Sequence, residues 1–188
     1  MPWTAFLSKY KKVNLDHIEM AVKNLSAFIE RCRQFNVPIV FVKTIHSPWT
    51  DSQSWLTRMG DAADKMDICL TDSWGSNFYN IEPKEIDCIV TKHRYSAFFG
   101  TDLDLILKSR GIDNILVTGV ATNVCVETTA RDGFNRDYNV ILVEDCCGAF
   151  DSEDHAATLN NINKFFGTVT TSSAFVDILQ KQETVGSR

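Results

Sequence analysis

Between Asn14 and Phe35 the apolar residues Ile18, Val22, Leu25, Phe28, Ile29 and Cys32 recur at spacings of three and four, which predicts a helix with one face turned to a core. Asn14 or Asp16 is placed to cap it. Asn36-Val37-Pro38 breaks the period, and Ile39 to Val42 follows as an unbroken β-branched and aromatic run. Runs of that kind suit strands buried on both faces of a parallel sheet. The more polar end that follows, Lys43 to His46, is expected to open onto the ligand side. From Ser47 to Pro83 the pattern dissolves into a long loop carrying Trp49, Trp55, Trp74, Phe78 and Tyr79. Loops of this length in compact domains are usually functional, and so many aromatics argue against disorder.

Ile86 to Val90 reads as the next strand and leads into the polar stretch Thr91 to Phe99. A helix is predicted from about Asp102 to Ser109, closed by Arg110-Gly111, then a strand over Asn114 to Thr118, with Gly119 as the turn after it. The helix-like stretch Asn123 to Phe134 precedes a strand over Asn139 to Glu144 and a turn at Asp145 to Gly148. A helix from Ser152 to Phe166 starts at a Ser152 or Asp151 cap and stops at Gly167. A short strand near Thr168 to Thr170 and a helix from Ser173 to about Gln180 complete the pattern, and Met1 to Lys12 is too mixed to assign. Strands alternate with helices throughout. The expected fold is α/β: a three-layer α/β/α sandwich around a mostly parallel sheet, in one domain over residues 1–188.

Composition narrows the function. A chain of 188 residues with 44% hydrophobic content can bury one sizeable core. The net charge of -5, with no basic block longer than Lys11-Lys12, disfavours nucleic acid and anionic membranes as partners. The expected partners are a small-molecule substrate and further copies of the same chain. The six cysteines lack CxxC spacing, and Cys146 and Cys147 are adjacent, which points to reduced thiols and a cytoplasmic location. No signal leader and no membrane-length apolar run is visible. His17, His46, His93 and His155 lack metal-ligand spacing, and GxGxxG, Walker and GxSxG patterns are missing, so no metal or organic cofactor is expected.

In a parallel sheet the groups that can share a site stand at strand C-termini. Here these are Thr44 and His46, Lys92 to Tyr95, Gly119 to Cys125, and Glu144 to Cys146. Cys125 falls in the first turn of the helix after a parallel strand, where unpaired N–H groups and the helix dipole favour a thiolate. The same position would also suit a small buried hydrophobe. Lys92 can stabilise that thiolate and a developing oxyanion, or stand as a solvated residue at a strand end. Glu144 and Asp145 fit turn or cap roles better than acid catalysis.

The stretches Thr91 to Thr101, Ser109 to Ile112 and Thr118-Gly119-Val120-Ala121-Thr122-Asn123-Val124-Cys125 onward to Phe134 resemble the isochorismatase-like cysteine hydrolases. Within that family they are most similar to the ureidoacrylate amidohydrolase branch, and the likeness runs from about His17 to Val176. The resemblance implies an Asp–Lys–Cys triad, with Cys125 as nucleophile and Lys92 as stabiliser of charge. It also implies a cis peptide at Val120-Ala121 that aims main-chain N–H groups, including that of Cys125, at the oxyanion.

Family members open on an apolar strand ending Asp-Met-Gln, whose Asp is the general base. This chain shows no such strand before its first helix, so an N-terminally short domain is expected, with Asp16 at a helix start rather than a strand end. Thr44 and His46 stand where the ureidoacrylate enzymes carry other substrate contacts. Two functions follow from these residues. The first is hydrolysis of a C–N bond in a small amide, carbamoyl or ureido compound through a Cys125 thioester, in a pocket lined by Thr44, His46, Trp74, Phe78 and Tyr95. The second is a truncated, catalytically impaired relative that keeps the fold and its ligand or oligomer contacts.

Overall fold

The computed structural model describes residues 15–59 and 69–186. The opening segment, with the Asn14 cap and the candidate strand Trp3 to Leu7, lies outside them. In chain order the elements are α1 (Asp16–Gln34), β1 (Val40–Thr44), α2 (Gln53–Met59), β2 (Cys88–Lys92), α3 (Leu103–Ser109) and β3 (Asn114–Val120). Then come a π-type turn (Thr122–Val126), α4 (Glu127–Phe134), β4 (Asn139–Gly148), α5 (Ser152–Phe165), β5 (Thr168–Thr170) and α6 (Ser172–Gly186).

The periodic stripe of α1 is buried as its spacing requires, through Ile18, Phe28, Ile29 and Cys32, with Ala21 beside them. Asp16 and Glu19 stand in its first turn and Arg31 and Arg33 in its last, both favourable toward the helix dipole. The N-cap is Leu15, without a side-chain bond. Asn36 takes a left-handed conformation at φ 56°, where Val37 N–H closes back on the Cys32 carbonyl at 3.0 Å, and this ends the helix. Arg33 then pairs with Asp87, a side chain fully removed from solvent, which ties the end of α1 to the approach to β2.

Among the described residues all strand pairings are parallel. β1 pairs with β2 in the register Val40 with Cys88 through Thr44 with Lys92. β3, β4 and β5 form a second group in that order. The two groups share one core, because Val40, Val42 and Val90 pack in the same cluster as Ile115 and Val117. That cluster continues onto α3 through Leu103 and Leu107, α4 through Ala130 and α5 through Ile162. On the opposite face Val143 and Cys146 of β4 meet Phe28 and Cys32 of α1, with Phe175 and Val176 of α6 packed against them. Helices therefore cover both faces of a parallel α/β sheet, as the alternating pattern requires.

Several boundaries differ from the sequence reading: the last helix runs past Gln180 to Gly186 and β3 runs past Thr118 to Val120, and four further differences have a local reason. β2 begins at Cys88 rather than Ile86, because Ile86 is 81% exposed and Asp87 is drawn into a turn with Lys84. β4 runs for 10 residues through the expected turn at Asp145 to Gly148, and Gly119 and Val120 pair with Cys147 and Gly148. Gly148 is needed for closeness and not for a turn: a Cβ there would stand 3.1 Å from Ile18 Cα. The segment Ser47 to Pro83 contains α2, too short to show a period, whose Trp55 N–H bonds Ser52 Oγ at 3.3 Å. Cys125 lies in the π-type turn ahead of α4 and not in the first turn of a regular helix. Among the described residues no helix is long and apolar enough to cross a membrane.

Candidate active site

The carboxyl end of β1 is extended by the chain returning from the long loop. His46 N–H donates to the Cys69 carbonyl at 2.7 Å and Thr71 N–H donates to the His46 carbonyl at 2.9 Å, so His46 and Leu70 bridge in parallel. His46 is buried, and its Nδ1–H donates to Asp51 at 2.9 Å. Its ring lies on Trp55 with centroids 5.1 Å apart, and Trp55 meets Tyr95 at 4.9 Å. Arg94 places its guanidinium 5.1 Å from the Trp55 centroid, a cation held against an aromatic face. His93 Nδ1–H donates to the Ile45 carbonyl at 2.7 Å and secures the stretch after β2 to the end of β1.

Lys92 pairs with Thr44 across the β1–β2 register and is only 4% exposed. Its ammonium donates to the Tyr95 carbonyl, so the cation is buried against its own loop and not solvated at a strand end. Cys125 is half-buried in the turn after β3. Gly119, at φ 116°, supplies a conformation that side chains rarely adopt, and the Val120–Ala121 peptide is cis. The Ala121 carbonyl then accepts N–H groups from both Val124 and Val126 at 3.2 Å, which closes the turn.

Two links join the lysine loop to the cysteine turn. Thr129 Oγ1 donates to the Cys125 carbonyl at 2.7 Å and accepts Ala97 N–H at 3.0 Å. Cys69 feels the charges of both partners. Burial pushes its thiol up to about 11, Cys125 pushes the same way, and Lys92 acts in the opposite direction. Helix α5 braces the turn from behind: Asn123 Nδ2 donates to Asp154 at 3.0 Å, and Thr158 Oγ1 donates to Glu127 at 2.9 Å. Burial raises the Glu127 carboxyl, but the bonds from Arg131 and Thr158 outweigh it and hold Glu127 below the usual carboxylate range.

The fold thus brings Thr44, His46, Lys92 and Tyr95 to one set of strand ends, with Val120 closing β3 and Ala121 and Cys125 on the turn that follows it. Two expected pocket residues stand differently. Phe78 packs edge-on against Phe41 of β1 at 5.2 Å, and Trp74 is 46% exposed in a short 3-10 turn. Asp145 accepts Ser172 N–H at 2.7 Å and caps α6 across space. The sequence reading does not single out Asp51 and Cys69, and it names Trp55 only among the loop's aromatics and not as a pocket residue, because all three lie in the aperiodic segment. Among the described residues no group of three His, Cys, Asp or Glu side chains is placed to hold a metal ion.

The parallel sheet gathers a buried lysine and a cysteine turn at its strand ends, the edge at which ligands bind in α/β folds. Residues 4–174 match the Isochorismatase domain, and the chain belongs to the isochorismatase family. It is 44% identical over 104 residues to ureidoacrylate amidohydrolase RutB of Acinetobacter baylyi, a match covering 55% of this chain and 42% of that relative. The aligned part is therefore less than half the length of that curated relative. A cysteine hydrolase from Pseudomonas syringae pv. phaseolicola superposes with a TM-score of 0.80 at 28% identity, covering 88% of this chain and 83% of that one. N-carbamoylsarcosine amidase from Thermoplasma acidophilum does so with a TM-score of 0.71 at 29% identity, covering 86% and 87%.

Proposed function

We propose that this chain is a cysteine-dependent hydrolase, in one domain, of a C–N bond in a small amide, carbamoyl or ureido compound. The observation that carries the reading is the placing of buried Lys92 at the end of β2 and half-buried Cys125 on the turn after β3, held together by Thr129, which bonds both the Cys125 carbonyl and the Ala97 N–H of the lysine loop. Ureidoacrylate amidohydrolase and N-carbamoylsarcosine amidase, both similar to this chain, are named for cleavage of this bond type.

In this mechanism the Cys125 sulfur attacks the substrate carbonyl carbon, and the carbonyl π electrons move to oxygen. Main-chain N–H groups of Ala121 and Cys125 and the Lys92 ammonium stabilise that oxyanion, an effect that acts strongly where water is excluded. Collapse breaks the C–N bond, the nitrogen takes the proton given up by the Cys125 thiol and leaves as ammonia or an amine, and Cys125 holds the acyl group as a thioester. Water then adds to the thioester carbonyl and releases the acid and the thiol. Thr44, His46, Tyr95 and Trp55 form the wall against which the substrate is positioned, with the Arg94 cation behind Trp55.

A second reading is favoured by one observation: Asp16 opens α1 and does not end a strand. There the chain keeps the fold and its ligand or oligomer contacts while hydrolysing poorly. Turnover of ureido, carbamoyl and simple amide compounds by the full chain and by Cys125→Ala separates the two. The hydrolase reading expects turnover that vanishes in the variant and a Cys125-bound acyl mass adduct after acid quench. Substrate binding without turnover or adduct would establish the impaired form.

A further inference from the structure

Thr122 opens the turn that carries Cys125, and its side chain is fully buried, at 0% exposure. Its hydroxyl lies 2.9 Å from Nδ1 of His155 on α5. The His155 ring meets His17 of α1 edge to face, with centroids 4.5 Å apart and planes at 83°. His17 Nδ1 in turn accepts the Ala149 N–H at 3.4 Å, just past the end of β4. A line of side chains thus connects the cysteine turn through Thr122 and His155 to a second imidazole, and nothing in the proposed hydrolysis uses it.

We propose that His155 is a positioning residue: as a neutral ring it accepts the Thr122 hydroxyl and fixes the cysteine turn, and on gaining a proton it releases Thr122 and slows Cys125. The proposal rests on Cys125 being the nucleophile. Neutral imidazole offers Nδ1 as an acceptor, whereas imidazolium carries N–H at both nitrogens. Protonation therefore puts an N–H on Nδ1, so the Thr122 hydroxyl must reverse from donor to acceptor and its own hydrogen, on a fully buried side chain, loses the ring as its partner. A buried polar group deprived of its partner destabilises the arrangement that holds it.

The surroundings favour the neutral ring. Burial pushes the His155 imidazole below its ordinary value, and His17 pushes in the same direction. The group facing it from α1 is His17, and Thr122 from the turn bears no charge. On its own helix the nearby acids are engaged elsewhere: Asp151 accepts the N–H groups of Glu153 and Asp154, and Asp154 accepts from Asn123. Asn123 is braced by the Asp154 carboxylate and Glu127 by the Thr158 hydroxyl, so among the described contacts Thr122–His155 is the brace whose partner is an imidazole.

The test is the rate of Cys125 alkylation by iodoacetamide in the full chain from about pH 5 to 8, resolved by peptide mass spectrometry. In the wild type two protonations block the reaction, that of the thiol and that of His155. The plot of log rate against pH should therefore steepen from a slope of about one toward two in acid, below about pH 6.5. His155→Asn keeps an acceptor near the same place and does not titrate, so its slope should stay near one. His155→Ala should lose about 10-fold in rate near pH 8, the size of one buried hydrogen bond, and His155→Asn should recover most of that loss. Thr122→Val should remove the extra steepening as well, which guards against a poorly folding histidine variant. A wild-type slope of one throughout, or a His155→Asn profile superimposed on a steepened wild type, would overturn the proposal. Slow, unselective labelling of Cys125 at pH 7.5 would instead remove the nucleophile reading and this proposal with it. Fast labelling with a slope of one removes this proposal alone.

Discussion

The Thr129 hydroxyl donates to the carbonyl of Cys125 at 2.7 Å while accepting the N–H of Ala97 at 3.0 Å, so one side chain sets the spacing between the cysteine turn and the lysine loop. Thr129 and Ala97 are both buried, so the Ala97 N–H has no ready access to water as a replacement. Thr129→Val keeps the shape and strips both bonds. It should cost about 1–3 kcal/mol in urea unfolding and slow Cys125 alkylation in the folded protein. An unfolding curve superimposed on the wild type would show that the link carries no energy.

The thiols should separate by reactivity. Burial pushes Cys32 and Cys69 up to about 11 and Cys146 up to about 12, and it raises Cys147 as well. Cys32, Cys146 and Cys147 are also closed to reagent. Limiting iodoacetamide at pH 7.5 should label Cys125 well before those four, with Cys88 as the nearest competitor. Uniform labelling of all six in folded protein would remove the nucleophile assignment.

Lys92→Met preserves most of the buried volume and deletes the cation. Lys92 lowers the cost of ionising Cys69, so its loss should push that thiol up further. Alkylation of Cys125 at neutral pH should slow, and amide turnover should fall by about 10²-fold or more, the effect typical of losing one oxyanion-stabilising group. Unchanged turnover would place Lys92 outside the chemistry.

Acid sensitivity should be traceable to Asp87. Burial alone would raise its carboxyl, but Arg33 and the Lys84 N–H, the latter at 2.7 Å, outweigh burial and hold it below the usual range. A carboxyl depressed in the folded state contributes stability above the ordinary Asp value of about 4 and loses it as pH falls toward its own lower value. Asp87→Asn should therefore unfold about 2–3 kcal/mol more easily at pH 7. The gap to wild type should close below about pH 4, and a constant gap down to pH 2.5 would rule out the ion pair as its source.

Periodic burial was legible in the chain itself. The stripe of α1, the apolar run of β1 and the strand at Thr168 to Thr170 follow from patterns that report which side of a local element meets the core, and the cap of α5, for which the sequence offers Ser152 or Asp151, is Asp151. The same logic placed Lys92 and Cys125 at strand ends, because parallel connections bring successive carboxyl ends to one edge. Tertiary structure alone decided what no local pattern encodes. Cys69 reaches the site because the His46–Leu70 bridge turns a long aperiodic segment back alongside β1. Phe78, from the same segment, is spent covering Phe41. Gly148 reads as a turn yet continues β4, since its missing Cβ is a demand of α1 lying across the sheet and not of its own backbone. Asp145 is satisfied by Ser172 at 2.7 Å and 27 positions along the chain, a distance at which only the folded path determines which groups meet.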